Sequence, residues 1–166
     1  RHMLRHFEEE LGRFGKLVIK RARYNLTRGK HKASGELYKN LKFIYKKTAN
    51  GYEAYFEYPE YADYIDQGVS GTEEKYATPF KYTTKKPPYK SILQWVKTKK
   101  VRFRDPKGRF EAGNYKTIAA IIRNSIFKKG IKPTLFFTKP FTSKMYDLPD
   151  DLARALLKDY NLWVQK

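Results

Sequence analysis

Apolar side chains near the start of the chain recur at steps of three and four residues. The positions are Leu4, Phe7, Leu11, Phe14 and Val18. This spacing places them on one face of an α-helix, so the pattern predicts one amphipathic helix over residues 3 to about 24. Gly12 and Gly15 interrupt the pattern, and in a helix such glycines either weaken it or mark a close approach of a neighbour.

Two stretches of alternating residues follow, separated by the strongest turn signal in the chain. Residues 41–47 and 52–58 are rich in β-branched and aromatic side chains, and Asn50-Gly51 lies between them. An Asn-Gly pair between two such runs is typical of a β-hairpin. Pairing across that turn should bring Lys46 or Lys47 close to Glu53.

A short helical pattern follows the hairpin. Tyr61, Tyr64 and Ile65 recur at helical spacing, Pro59 suits a first helical position, and Gly68 can supply the positive φ that ends a helix. A helix of this length is not stable alone in water. Its aromatic face must therefore pack against a sheet or another molecule, and ordinary core packing remains an equal alternative for each ring.

The middle of the chain predicts a long loop, a helix and a small hairpin. Residues 69–88 contain one glycine and three prolines with little periodicity. Loops of that length are usually functional or disordered, and the aromatic and lysine residues of 76–89 could either contact nucleic acid or order only on assembly. A helix over about 88–98 should follow, with Ile92, Leu93, Trp95 and Val96 on its apolar face. Residues 101–111 read as a basic hairpin.

Two further helices are predicted in the last third. Asn114 should cap a helix with Ile118, Ile121, Ile122 and Ile126 on one face, and Gly130 should end it. Residues 131–141 form an extended apolar segment bracketed by prolines, expected to be an edge strand or a docking segment. The final helix should open at Pro149. Its predicted buried side consists of Leu152, Leu156, Leu157, Tyr160 and Trp163.

These elements predict an α+β fold. A small antiparallel sheet built on the hairpin should be packed by the amino-terminal helix and two to three further helices. We expect residues 1–166 to form a single domain that carries residues 69–113 as an inserted loop, helix and hairpin.

Charge is unevenly distributed along the chain. The formal net charge is +19, which favours a polyanionic partner. Residues 52–74 nevertheless carry seven acidic groups and no basic one, whereas residues 81–109 carry eleven basic groups and one acidic. Patches of opposite sign on one chain suit a head-to-tail contact between copies, and such contacts can close into rings.

Residue patterns for catalysis and metal binding are weak. The chain has no cysteine, and its histidines, His2, His6 and His31, lie near no suitable serine. His2 and His6 read as a surface pair instead of a metal site. Asp63 and Asp66 with Glu73 and Lys75 superficially resemble the site of a metal-dependent nuclease, but the Glu73-Glu74-Lys75 element falls in a polar loop and not on a strand. We therefore expect no enzyme, no cofactor and no metal. No apolar run is long enough to span a bilayer.

Four features in order resemble the tail-completion or head–tail joining proteins of tailed bacteriophages. They are the amino-terminal helix, a Ser-Gly-x-Leu segment, a Tyr-Ala-x-Tyr-x-x-x-Gly turn and a Pro-x-x-x-Phe segment before a final helix. The matching residues are Ser34, Gly35, Leu37, Tyr61, Ala62, Tyr64, Gly68, Pro133, Phe137, Pro140 and Phe141. Gln67 stands where that turn often carries an acidic residue, and residues 73–127 exceed the family's minimal loop.

The resemblance implies a structural virion protein, assembled in the bacterial host cytoplasm, that forms a ring at the head–tail junction. The ring, expected to contain a multiple of six subunits, would contact portal or adaptor and tail proteins and enclose genomic DNA. Expected subunit-contact residues are Glu60, Tyr61, Asp63, Tyr64, Asp66 and Gln67. Expected channel residues are Lys81, Lys85, Lys86, Lys99, Lys100, Arg102 and Arg104. The expected docking segment comprises Pro133, Phe136, Phe137, Pro140 and Phe141. The alternative is a basic nucleic-acid-binding protein outside the virion.

Overall fold

The computed structural model describes residues 4–29, 35–111 and 113–165. The helices are α1 (Arg5–Arg28), α2 (Glu36–Asn40), α3 (Tyr61–Gln67), α4 (Tyr89–Lys99), α5 (Tyr115–Lys129) and α6 (Thr138–Val164). The strands are β1 (Lys42–Thr48), β2 (Gly51–Glu57), β3 (Val69–Ser70) and β4 (Gly130–Ile131). The predicted α+β class is confirmed. Two contact-dense units share these elements: one comprises residues 1–31, 37–59 and 135–166, the other residues 32–36 and 60–134. Whether they fold as the single predicted domain stays a prediction.

The first unit packs α1 against α6 and the hairpin. β1 and β2 pair antiparallel across Asn50-Gly51, with Lys46 opposite Glu53 and their side chains 3.0 Å apart, as predicted. Leu11, Phe14 and Val18 of α1 are buried, which confirms the amphipathic helix, although it extends to Arg28. An aromatic core joins the three elements. Its members are Phe14, Val18 and Leu148, with Phe43, Phe56, Phe137, Phe141 and Leu152 packed around them.

Gly15 explains how the hairpin approaches α1 so closely. A methyl group at this position would overlap the ring of Phe43. That ring packs in turn on Phe14 and Phe56, with ring centroids 6.0 and 4.8 Å away. The predicted role of Gly15 as a close-packing position is therefore confirmed, and its lack of a side chain lets β1 lie on the helix.

Phe137 and Phe141 of the expected docking segment belong to this core, and Phe136 and Pro140 are also buried, so the prediction of an edge strand or docking surface is wrong for these residues. Pro133 lies in the second unit. Phe136 is 2% exposed, and Pro140 is buried in the first turn of α6. Phe137 and Phe141 pack against Phe56 with ring centroids 5.0 and 5.9 Å away. Bracketing prolines suggested extended backbone, but a proline in the first helical turn loses no hydrogen bond, so the helix begins at Thr138.

The last helix also differs from its prediction. It begins eleven residues before Pro149, which lies inside it. Leu148 and Ala155, on either side of that proline, are both buried, and this packing holds the helix together across the missing hydrogen bond. Its predicted buried side is largely exposed, because α1 covers a different stripe. The exposed members are Leu156, Leu157, Tyr160 and Trp163.

The second unit is built around α4 and α5. Ile92, Val96, Ile118 and Ala119 form its core. Asn114 caps α5 by accepting a hydrogen bond from the Lys116 amide, and Gly130 ends it with φ +76°, both as predicted. Two members of the predicted apolar faces lie partly outside this core. Trp95 is 42% exposed and Ile121 is 50% exposed.

The long segment after Gly68 is held by backbone hydrogen bonds, and whether it orders only on assembly stays a prediction. β3 pairs antiparallel with β4. The Ser70 amide donates to the Phe80 carbonyl, and the amides of Thr72 and Glu73 donate to the last turn of α5. The predicted basic hairpin is also present, as one antiparallel bridge between Arg104 and Phe110.

Candidate nucleic-acid and subunit-contact surfaces

Helix α3 carries the predicted subunit-contact residues. Gly68 ends the helix with φ +75°, as the sequence predicts, whereas Pro59 lies two residues before the first helical residue, Tyr61, and not at it. A side chain on Gly68 would clash with the backbone of Ile131, so this position requires glycine for space as well as for φ. The Thr134 amide and hydroxyl donate to the Ile65 carbonyl, which fixes α3 against the segment after β4.

The contact residues of α3 divide between surface and interior. Glu60 is exposed, Tyr61 and Tyr64 are 40% and 39% exposed, and Asp63 and Gln67 are half-buried. Asp66, in contrast, is only 5% exposed. Its carboxylate does not face the outside, so Glu60 and Asp63 are the outward carboxylates of this helix. The ring of Tyr64 is supported by Phe80, 4.7 Å away.

Part of the acidic block is neutralised within its own chain. Glu53 pairs with Lys46, and Glu73 pairs with Lys128, each at 3.0 Å. Within the described ranges, no ion pair engages Glu60 or Asp63. Glu60 and Asp63, at the start of α3, are therefore available to a partner, as are the exposed Glu57 and Glu74.

All seven predicted channel cations are exposed, in two stretches of the second unit. Lys86 donates to the Asn124 side chain at 2.8 Å and lies over the ring of Phe127. Arg104 stacks on Phe110 at 4.1 Å and donates to the Gly108 carbonyl. These two side chains are held in place, which reduces the conformational entropy that they would lose on contacting phosphate. The other predicted cations are Lys81, Lys85, Lys99, Lys100 and Arg102.

A second basic surface lies on the first unit, where the sequence did not predict one. We call it the basic face; it consists of Lys16, Lys20, Arg21, Lys42, Lys139 and Lys144. Two open clefts run along it, of about 690 and 870 Å³, and no acidic side chain lines either one. Lys20 and Tyr24 border both clefts.

Aromatic and backbone contacts organise this face. Tyr24 is 51% exposed, and the Arg21 guanidinium lies 5.2 Å from its ring centroid. Arg23 is committed to the fold, since its guanidinium donates to the carbonyls of Tyr38 and Leu41. Cations beside an exposed ring are the combination that binds a phosphate backbone and stacks on bases. The helical pattern placed Lys16 and Lys20 outside the apolar stripe, but Lys139 and Lys144 join them only through the packing of α6 on α1.

A buried carboxylate, Asp159, closes the other end of α1. Its two oxygens accept the backbone amides of His6 and Phe7, each at 3.0 Å, and the His6 Nδ1 atom lies 2.7 Å away. Burial alone would raise the pKa of Asp159, but the hydrogen bonds from the two amides and from the His6 ring outweigh it, so the pKa lies below its usual value. Asp159 thus caps a helix whose own N-cap residue, Leu4, supplies no side-chain hydrogen bond.

The nuclease-like set is not assembled as a metal site among the described residues, and the predicted surface pair of His2 and His6 stays a prediction. His2 and His31, like Ser34 of the Ser-Gly-x-Leu segment, lie outside the described residues, and His6 contacts Asp159. Lys75 donates to the carbonyls of Gly71 and Thr72. Across residues 4–29, 35–111 and 113–165, no group of three His, Cys, Asp or Glu side chains could hold a metal ion.

No helix among the described residues has the length and apolar character needed to cross a membrane. Comparisons with protein-family models, with curated proteins and with solved structures found no match.

Proposed function

We propose that this protein is a structural component of a tailed-bacteriophage virion, forming a ring at the head–tail junction around the DNA channel. The observation that carries the proposal is the separation of charge on a +19 chain: residues 52–74 carry seven acidic groups and no basic one, whereas exposed cations cover both units. Portal or adaptor and tail proteins are the expected neighbours, as the resemblance to tail-completion proteins implies.

The subunit contact is assigned to α3. Glu60 and Asp63 lie beside Tyr61 and Tyr64, each about two-fifths exposed, and partly exposed tyrosines are enriched in protein interfaces. A negative patch on one copy and a basic surface on the next form a heterologous contact, which closes into a ring when the rotation between copies allows. Electrostatic complementarity would set the register of that contact and speed association.

Charge reversal on α3 tests this contact. Glu60→Lys combined with Asp63→Lys should abolish the ring in native mass spectrometry and leave smaller species, because like charges then meet at the contact. Glu36→Lys combined with Glu111→Lys is the matched control, since it makes the same change in net charge at exposed positions outside α3. A ring that survives the α3 reversal would refute the assignment.

DNA contact is assigned to diffuse positive charge instead of base-reading groups. A channel must pass any genome sequence, and phosphate contacts carry no sequence information directly. Lys81, Lys85 and Lys86 are exposed and free of acidic partners among the described residues. Replacing all three with glutamine should lower the slope of log affinity against log salt by about 2.7 for duplex DNA if each contacts one phosphate. In assembled particles the same change should alter DNA retention or ejection.

A free nucleic-acid-binding protein is the second candidate, and the basic face favours it. Clefts lined by lysines and by Tyr24, with no acidic side chain, suit a strand of nucleic acid without any ring. The two functions differ in assembly. A ring protein sediments as a closed multimer or joins purified virions, whereas a free binder binds duplex as a small species with strongly salt-dependent affinity.

A further inference from the structure

The last helix presents two apolar stripes, and α1 covers only one of them. Leu148 and Ala155 are 8% and 6% exposed in the covered stripe. The second stripe lies about a third of a turn further round the helix. Its large side chains and their exposed fractions are Tyr146 88%, Leu156 41%, Leu157 61%, Tyr160 59%, Trp163 62% and Val164 57%.

The second stripe has the spacing of a coiled-coil seam. Six residues follow one another at alternating steps of three and four, and none carries a charge. They are Tyr146, Pro149, Ala153, Leu156, Tyr160 and Trp163, which we call the outer seam. All six are exposed. A sustained alternation of this kind keeps apolar side chains facing a second helix. An exposed helix face without such a partner is normally polar.

The area of the outer seam is close to what a specific contact between proteins requires. Aromatic side chains bury roughly 150–250 Å² each, so the exposed parts of its three rings amount to on the order of 400 Å². Leu156, with Leu157 and Val164 beside the seam, adds to that area. The largest apolar patch on a typical monomer is about 300–600 Å², and a standard interface buries about 800 Å² per partner.

We infer that the outer seam pairs with the outer seam of a second copy of this chain, with the two helices antiparallel. In the register that centres the contact between Arg154 and Ala155, Tyr160 of one copy faces Pro149 of the other, and Leu156 faces Ala153. Large side chains then meet small ones at these positions, and Tyr146 of each copy faces Trp163 of the other at the two ends of the contact. A parallel pair would instead place Tyr160 against Tyr160 and leave a gap where the two Ala153 side chains meet.

Charge along α6 selects the same orientation. Asp151 lies before the centre of the contact and Lys158 lies after it, at equal distances from the centre. An antiparallel pair therefore places Asp151 of each copy opposite Lys158 of the other. A parallel pair places like charges together, at separations where repulsion is only partly screened by salt.

This contact goes beyond the proposed ring. A ring requires a head-to-tail contact, in which two different surfaces meet, whereas the outer seam makes a two-fold contact of one surface with itself. The two-fold contact therefore joins copies as a dimer outside a ring, or joins two rings face to face. It uses no residue of α3.

Crosslinking between two single-cysteine proteins tests the orientation. The chain contains no cysteine, so Ser143→Cys and Val164→Cys each introduce a unique thiol beside the seam. The two positions are 21 residues apart, about 31 Å along a helix. An antiparallel pair crosslinks position 143 of one protein to position 164 of the other when the two are mixed with a short bis-maleimide. Crosslinks of 143 to 143 and 164 to 164, or none at all, would overturn the inference.

A concentration series by native mass spectrometry tests the contact itself. In the Glu60→Lys, Asp63→Lys background, where no ring is expected, a dimer should remain at micromolar concentrations. Adding Trp163→Asp should raise the dimer dissociation constant at least tenfold and leave the helical circular dichroism spectrum unchanged. Trp95→Ser on α4 is the control and should leave the dimer intact. A background protein that stays monomeric, or a dimer that Trp163→Asp leaves unchanged, would refute the seam without bearing on the ring.

Discussion

Replacing Asp159 with alanine should destabilise the packing of α1 on α6 more than any other single carboxylate change on α6. Its side chain is 4% exposed and accepts two backbone amides at 3.0 Å, besides contacting His6. A hydrogen bond to a charged group contributes about 1.5–3 kcal/mol, and loss of a helix cap costs about 1 kcal/mol. These terms overlap, because water can reach the first turn once the carboxylate is gone. We expect a loss of about 2–4 kcal/mol in the free energy of unfolding.

Asp159→Asn should lose about half as much, since one oxygen still accepts a hydrogen bond while the charge is gone. The pH dependence has a definite sign. Because folding lowers the pKa of Asp159, its contribution is present above the unfolded pKa of about 3.9 and is lost as the pH falls through the folded pKa. The difference between wild type and Asp159→Ala should therefore shrink in acid.

Urea unfolding followed by circular dichroism measures the free-energy change, and hydrogen exchange at the amides of His6 and Phe7 reports the cap directly. Asp150→Ala, an exposed position on the same helix, is the control and should change the free energy of unfolding by at most about 0.5 kcal/mol. Equal effects of the two substitutions, or unchanged exchange at His6 and Phe7 in Asp159→Ala, would refute the capping argument.

Two further predictions concern α1 and the hairpin. Gly15→Ala should lower the free energy of unfolding, measured by heat or urea, by about 1–3 kcal/mol, because the new methyl group overlaps Phe43. Gly12→Ala is the control: the nearest neighbour of its methyl group is 3.5 Å away, so it should be neutral or stabilising by up to about 1 kcal/mol. Equal effects of the two substitutions would contradict the packing argument. The Tyr52 hydroxyl donates to Glu8 at 2.5 Å, and this hydrogen bond together with burial raises the pKa of Tyr52 to about 12. The stabilisation that the hydrogen bond gives is present below pH 10 and is lost as the pH rises through 12. Glu8→Gln should return the pKa of Tyr52 toward 10, as measured by an NMR titration.

Local patterns determined most of the elements. The Asn50-Gly51 turn, the helical spacing of Leu11, Phe14 and Val18, and the cap at Asn114 each depend on a few neighbouring residues, so the sequence alone predicts them. The same holds for Gly68 and Gly130, where positive φ is a property of one position.

Predictions failed where the result depended on which surface a residue meets. The sequence predicted a docking segment over Pro133 to Phe141. An apolar side chain gives the same sequence pattern whether it packs in the core of its own chain or against a partner. The structure places Phe136 in the interior and Trp163 on the surface, and periodicity could not distinguish the two stripes of α6. Asp63 and Asp66 are both carboxylates of the same acidic block, yet Asp66 is buried whereas Asp63 is half-buried.

The sequence by itself therefore determined the hairpin, the helices α1, α3, α4 and α5, the charge of +19 and the acidic block of residues 52–74. Tertiary structure alone decided that Asp159 caps a helix 153 residues away, that Lys139 and Lys144 join Lys20 in one basic face, and that α6 leaves a seam uncovered. The physical reason is the distance along the sequence over which each effect acts. Backbone preferences act over a few residues, whereas burial and the pairing of distant charges are properties of surfaces that exist only after the helices pack.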